Sequence, residues 1–274
     1  MGPSTLPGLS GFLLINPRSG SGNPSTEELR AAAAERGVET RLLAEGDDLT
    51  EILRGAEADA LGVAGGDGSL AAGAAVAIER DLPFVVVPFG TRNHFARDIG
   101  LDRDDPVGAL DAFEGSEERV DVGRVGDRLF LNNVSFGIYA ELVHRREHHR
   151  RRRAALARAR AAWRTVLNRT PLRLSVDGAA VEAEVVLVAN NAYELDLFNV
   201  GERSSVTEGR LHLYAASGWL PRSWKDRAAQ RFTIDAEQEE VEAGIDGEPE
   251  RLETPLEFSI EPRALRVLLP GSPG

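Results

Sequence analysis

Three short apolar runs in the first 90 residues each end in a glycine- and hydroxyl-bearing turn and then a helical pattern. They are FLLI at 12–15 before Asn-Pro-Arg-Ser-Gly-Ser-Gly, ALGVA at 60–64 before Gly65-Gly66-Asp67-Gly68-Ser69, and PFVVV at 83–87 before Pro88-Phe89-Gly90-Thr91. Apolar runs without alternation read as strands covered on both faces. Repeated strand–turn–helix units of this length therefore predict a parallel sheet with helices on both sides. The intervening punctuation agrees. Ser25 with Glu28 makes a capping box for a helix to Arg36, closed by Gly37. A strand at 38–43, a short helix at 49–54 and an Ala-rich helix to about Arg80 come next, and Asp105-Pro106 starts one more helix, to Phe113.

The pattern changes after about Glu118. Residues 119–125 alternate and 128–138 form a strand-like run. Later come 172–176, an Asp177-Gly178 hairpin turn, 181–189, 211–215, 232–234, 256–260 and 265–269. Short strands separated by turns predict an antiparallel β domain.

Composition narrows the chemistry. The chain of 274 residues carries a formal charge of −12, has no cysteine, and has a single lysine, Lys225, in Ser-Trp-Lys-Asp. A Walker A loop, a protein-kinase strand lysine, a thiolate zinc site and a cysteine nucleophile are all excluded. The charge is uneven. Residues 144–169 hold ten arginines and one acid, or +9, which leaves −21 for the rest. Such a protein is not expected to coat nucleic acid, but it has one segment suited to an anionic surface. No apolar run approaches the ~20 residues of a membrane span, and the N-terminus lacks the pattern of a signal peptide, so a cytoplasmic protein is expected.

The three turns carry the chemistry. Glycines admit close approach of a ligand to the backbone, and helix N-termini suit phosphate. Ser69 and Thr91 add hydroxyl donors. A carboxylate facing a polyphosphate is unfavourable without a cation or proton between them, so Asp67 suggests Mg²⁺. The C-terminal ends of the strands would line one edge, where open α/β sheets bind ligands.

NPRSGSG, GGDGS and PFGTRNHFA in this order, with the late Asp246-Gly247-Glu248 and with Asn132-Asn133-Val-Ser-Phe-Gly137, resemble the diacylglycerol kinase family of lipid kinases. That family includes bacterial diacylglycerol kinases and the sphingosine and ceramide kinases, and is more distantly similar to NAD kinases. The resemblance implies an NAD kinase-like α/β nucleotide domain at 10–125 and an antiparallel β-sandwich domain at 126–261, with 262–274 returning to the first. It implies ATP as phosphoryl donor with Mg²⁺. Asn16, Pro17, Arg18, Ser19, Gly20, Gly65, Gly66, Asp67, Gly68, Ser69, Thr91 and Asn93 would form the nucleotide site. Glu248 would be the catalytic carboxylate, since a lipid hydroxyl must lose its proton as it attacks phosphorus. Asp246 would support Glu248 or hold Mg²⁺, and Asp67, Asp121 and Glu208 would be the metal residues. Read without that resemblance, Asp-Gly-Glu is a hairpin turn with solvated acids.

Several positions depart from the family pattern. His94 stands where an acid is usual, Ala71 and Ala72 replace Asn and Glu, and Ser21 replaces a basic residue. The usual Asp-Asp-Gly metal loop reads Thr207-Glu208-Gly209. These keep two alternatives open: a weakened nucleotide- or lipid-binding protein, and an NAD kinase-like kinase of a soluble metabolite. His144-x-x-Glu147-His148 matches an inverted zincin pattern, but the neighbouring arginines would repel Zn²⁺. Residues 156–166 repeat at helical spacing under an arginine face. Arg150, Arg151, Arg152 and Arg153 either are solvated or meet anionic lipid headgroups. A lipid substrate at a membrane surface is the expected partner; a homodimer is left open.

Overall fold

A computed structural model describes residues 10–20, 23–137, 172–196, 199–216 and 224–271. The basic segment 144–169, with Arg150–Arg153 and the zincin-like match, lies outside them, as does Ser21. The chain divides into two compact units. The first comprises Met1–Val122, Ser205–Gly209 and Glu261–Gly274; the second comprises Gly123–Ser204 and Arg210–Ile260.

The first unit is α/β. Its elements are β1 (Gly11–Ile15), α1 (Thr26–Glu35), β2 (Glu39–Leu42), α2 (Leu49–Gly55), β3 (Ala60–Gly65), α3 (Asp67–Glu79), β4 (Phe84–Pro88) and α4 (His94–Asp98). β5 (Ser116–Val125) leads out of it. The sheet order is β2-β1-β3-β4, every pair parallel. The far end of the last strand, Leu256–Leu269, adds beside β4, also in parallel, with Val267 opposite Phe84. All residues of β1, β3 and β4 are buried, as apolar runs without alternation require. Ser25 and Glu28 form the expected capping box, and Asp48 caps α2 through the N–H groups of Thr50 and Glu51. α3 packs so tightly on the sheet that a β-carbon at Gly73 would lie 2.6 Å from Val63 Cγ2.

The second unit is all antiparallel. Its elements are β6 (Arg128–Phe130), β7 (Asn133–Gly137), β8 (Leu172–Val176), β9 (Ala179–Ala183), β10 (Val185–Asn190), β11 (Tyr193–Asp196), β12 (Asn199–Arg203), β13 (Leu211–Ala216), β14 (Trp224–Ala229), β15 (Arg231–Ala236), β16 (Glu240–Ile245), β17 (Glu248–Glu253) and the first part of β18 (Leu256–Leu269). One sheet runs β14-β13-β10-β7-β16-β17, and β18, β15, β8 and β9 lie side by side in another. The core between them includes Phe130, Val134, Phe136, Val186, Val188, Leu213, Phe232, Ile245 and Phe258. Phe258 meets Phe130 and Phe136 edge-on, with ring centroids 6.3 and 6.2 Å away. The expected fold class, a parallel α/β domain followed by an antiparallel β domain, is the observed one.

The local expectations differ in four places. The helix expected to 113 is a 3-10 segment, Gly108–Glu114, because Asp105 accepts from the Gly108 N–H and sets the turn later. The run at 128–138 is two strands, broken where a distant carboxylate takes the N–H groups of Leu131, Asn132 and Asn133. The run at 181–189 breaks at Glu184, whose N–H turns to Ala216. The strands at 256–260 and 265–269 are one, carried through a left-handed Arg263 with φ 52°. β11, β12 and β14 were not expected, and neither were β16 and β17. The last two are glutamate-rich, and β17 is an edge strand containing Pro249, so their composition argues against a strand while their place permits one.

Candidate active site

The three glycine turns of the α/β unit converge at the C-terminal edge of its sheet. Asn16, just past β1, donates its Nδ2 to Ser69 Oγ at 3.1 Å, joining the first turn to the second. Its Oδ1 accepts from the Arg18 N–H, which shapes the loop through Ser19. The second and third turns touch backbone to backbone: a β-carbon at Gly90 would lie 2.5 Å from the Gly66 Cα. The first and third also meet, since a β-carbon at Gly20 would lie 2.6 Å from the Phe89 ring. Gly90 and Gly20 therefore serve turn-to-turn packing. Gly66 keeps an open side, with only the Gly90 Cα at 3.9 Å. It caps α3, so Gly66, Asp67, Gly68 and Ser69 sit where a helix presents N–H groups that have no intrahelical carbonyl. Gly65 is buried at the end of β3, whereas Pro17, Arg18 and Thr91 are exposed.

Asp67 and Asn93 do local work within this edge. Asp67 is buried, and its carboxylate accepts from the N–H of His94 at 3.3 Å and of Phe95 at 3.1 Å. It caps α4 from the neighbouring turn. Asn93 is buried in the left-handed conformation, φ 48°, and its amide both accepts from the Gly90 N–H and donates to the Gly90 carbonyl. It closes the turn that presents Thr91. Burial holds the His94 imidazole below its ordinary pKa, with Asp67 opposing and Arg97 adding to the shift.

The proposed metal residues are not gathered. Asp121, only 1% exposed, accepts from the Gly209 N–H at 2.7 Å and the Arg263 N–H at 2.8 Å. It pins the 205–209 loop to the start of the returning strand. Glu208 is exposed on that loop. Among the described residues no group of three or more His, Asp or Glu side chains could hold a metal ion. The described carboxylates thus form no all-protein cage, and Mg²⁺ held by one or two carboxylates with water and phosphate oxygens needs none.

In the β unit, Asp246 and Gly247 both have positive φ, 49° and 86°, and join β16 to β17 with Ile245 opposite Glu248. This is the two-residue hairpin turn that Asp-Gly favours. The Asp246 carboxylate is half-buried and bonded to backbone amides. It accepts from the N–H groups of Leu131, Asn132 and Asn133 at 2.7, 2.7 and 3.0 Å. Three amides on one carboxylate make it a clamp on the 131–133 backbone. Glu248 comes next, at the exposed start of β17.

Sequence reasoning missed the buried polar group behind that clamp. Arg203, 7% exposed, donates Nη1 to the carbonyls of Leu131 and Asn190 and Nη2 to Asn132 Oδ1. It lies 5.9 Å from the Tyr193 ring centroid. Asn190 adds a bond to the Leu131 carbonyl. The guanidinium fixes the Asn132 amide so that its Nδ2 is buried with no partner. The partners lie up to 72 residues apart, so no local signal announces them.

Among the described residues no helix is long and apolar enough to cross a membrane. Residues 10–125 match the family model described as diacylglycerol kinase catalytic domain. A diacylglycerol kinase of Mycobacterium tuberculosis is 36% identical over 123 residues, covering 42% of this chain and 40% of that protein. One from Bacillus subtilis is 32% identical over 91 residues, covering 32% and 30%. The match thus spans well under half the length of either relative. A solved diacylglycerol kinase structure from Bacillus anthracis superposes with a TM-score of 0.68 at 18% identity, covering 96% of this chain and 98% of that one. The chain is therefore similar to the diacylglycerol kinase family, in sequence through its α/β unit and in fold along nearly its whole length.

Proposed function

We propose that this chain is an ATP-dependent lipid kinase that phosphorylates a lipid hydroxyl, on a diacylglycerol-like or sphingoid acceptor. The observation that carries the reading is the convergence of three glycine turns at one sheet edge, tied by Asn16 to Ser69 and by the contact of Gly66 with Gly90. That edge suits a polyphosphate. α3 offers its N-terminus beside the open side of Gly66, and Ser19, Ser69 and Thr91 bring hydroxyls on the same turns. ATP supplies the phosphoryl group when bound. Asn93 and Asp67 hold the turn that carries Thr91 in place. Glu248 accepts the proton of the acceptor hydroxyl, and Asp246 fixes the turn from which it projects. Mg²⁺ would be held by one or two of Asp67, Asp121 and Glu208 together with phosphate oxygens, and no step is routed through it.

The test is phosphorylation across a lipid panel with labelled ATP. Glu248→Gln should lower kcat by about 10²–10⁴-fold, the range of a general base, and a wild-type kcat would end this assignment. The expected meeting point with the bilayer is residues 144–169, and sedimentation with anionic and neutral liposomes tests it. A second reading, a weakened nucleotide-binding protein, is favoured by the amide-bound state of Asp67 and Asp121. ATP binding without phosphotransfer to any lipid would support it.

A further inference from the structure

A polyphosphate needs cationic charge, and the only lysine, Lys225, lies on β14 in the β unit. The edge of the α/β sheet carries arginines instead: Arg18 after β1, and Arg92, Arg97 and Arg103 after β4. Two of these are committed. Arg97 donates Nε and Nη2 to Asp98 Oδ1 at 3.0 and 2.8 Å, and the Asp98 side chain is fully buried. Arg103 donates Nη1 to the Arg92 carbonyl at 3.4 Å.

Arg18 and Arg92 differ. Among the described residues neither has a carboxylate within ion-pair distance. Arg18 is exposed and Arg92 half-buried. Their roots are held, Arg18 through its N–H to Asn16 Oδ1 and Arg92 through its carbonyl to Arg103. Their turns touch, the Phe89 ring against Gly20. The buried carboxylate of Asp67 is occupied by the amides of α4. Two cations without an ionic partner on touching turns gain together when a multivalent anion arrives.

We propose that Arg92, with Arg18, forms a two-armed clamp for the polyphosphate of a nucleoside triphosphate, in the place that a lysine takes in other phosphate sites. Guanidinium groups suit this, because each can bond two phosphate oxygens at once. The clamp rests on the nucleotide reading above, and deepens it by making Arg92 the residue that senses phosphate number.

Calorimetric titration of the full chain with ATP, ADP and AMP tests it without any lipid. Arg92→Ala should weaken ATP about tenfold, ADP less, and AMP within about twofold of wild type, as expected for loss of one charge-assisted contact. Arg92→Lys should recover most of the loss, and Arg92→Gln should not. Thermal unfolding of each variant shows that it is folded, and Arg92→Gln replaces Arg92→Ala if the latter is not. Two results would overturn the clamp: ATP binding unchanged in a folded charge-free variant, or equal losses for ATP and AMP. If wild type binds none of the three nucleotides, the nucleotide reading itself fails, a result visible before any variant is made.

Discussion

The β unit contains two Asp-Gly hairpin turns, Asp177-Gly178 and Asp246-Gly247, with nearly the same backbone. Both aspartates have φ 49°, and the glycines have φ 79° and 86°. Each turn joins adjacent antiparallel strands, with Val176 opposite Ala179 and Ile245 opposite Glu248. They diverge in what the carboxylate grips. Asp177 accepts from the Thr233 N–H at 2.8 Å and pairs with the half-exposed Arg227 at 2.7 Å. Asp246 accepts from three consecutive amides more than a hundred residues upstream. They diverge also in the residue after the glycine: alanine at 179, glutamate at 248. One dipeptide thus builds a plain hairpin and a fixed mount for an acid, and the grip makes the difference.

Substitution after the turn should give the largest contrast. Glu248→Gln is expected to cost about 10²–10⁴-fold in lipid-kinase kcat with little change in Tm. Ala179→Gln, the same polar residue after the other turn, should leave kcat and Tm close to wild type. Equal effects on kcat would dissolve the distinction.

The grip itself comes next. Asp246→Ala strands three amides and should cost about 3 kcal/mol in denaturant unfolding. Asp177→Ala loses one amide bond and a solvent-screened ion pair, and should cost about 1 kcal/mol. A loss at Asp246 no greater than at Asp177 would show that the upstream amides find other partners.

The glycines should behave alike. Gly178→Ala and Gly247→Ala each force a β-carbon into the left-handed region, at about 1 kcal/mol apiece. Unequal values would mean that the backbones, and not only the carboxylates, set the turns apart.

The smallest effect lies in the α/β unit and depends on pH. Arg266 holds Glu117 below the usual carboxylate range through bonds at 2.7 and 3.0 Å. A depressed carboxylate adds stability above its unfolded pKa and loses it as pH falls through the folded value. The pair is partly exposed, so Glu117→Gln should cost at most about 1 kcal/mol at pH 7 and nothing once pH is well below 4. A cost that persists into acid would assign it to packing instead.

Legibility followed the same divide as the two turns. The capping box of Ser25 and Glu28, the three glycine turns and the Asp177-Gly178 hairpin all depend on residues within a few positions of each other, and the structure has each of them. The break of the strand at Leu131–Asn133 was not legible, because the carboxylate that causes it lies 113–115 residues away. Asp67 drew attention as an acid among glycines, but nothing nearby indicated that the α4 amides would take its oxygens. Arg92 was overlooked because its interest lies in the absence of a carboxylate partner among the described residues, a property of folded neighbours.

By itself the sequence determined the class of each half, the order of strands and turns in the first, the exclusion of lysine- and cysteine-based chemistry, and the glycine turns on which the proposed phosphate edge rests. Periodicity, caps and turn residues act over one or two turns of chain, so residue identity is enough to read them. The tertiary structure decided what each acid is for. A carboxylate accepts from any amide that reaches it, and which one reaches it depends on contacts distant in sequence. Asp67 became a helix cap, Asp121 a loop pin and Asp246 the clamp beneath Glu248.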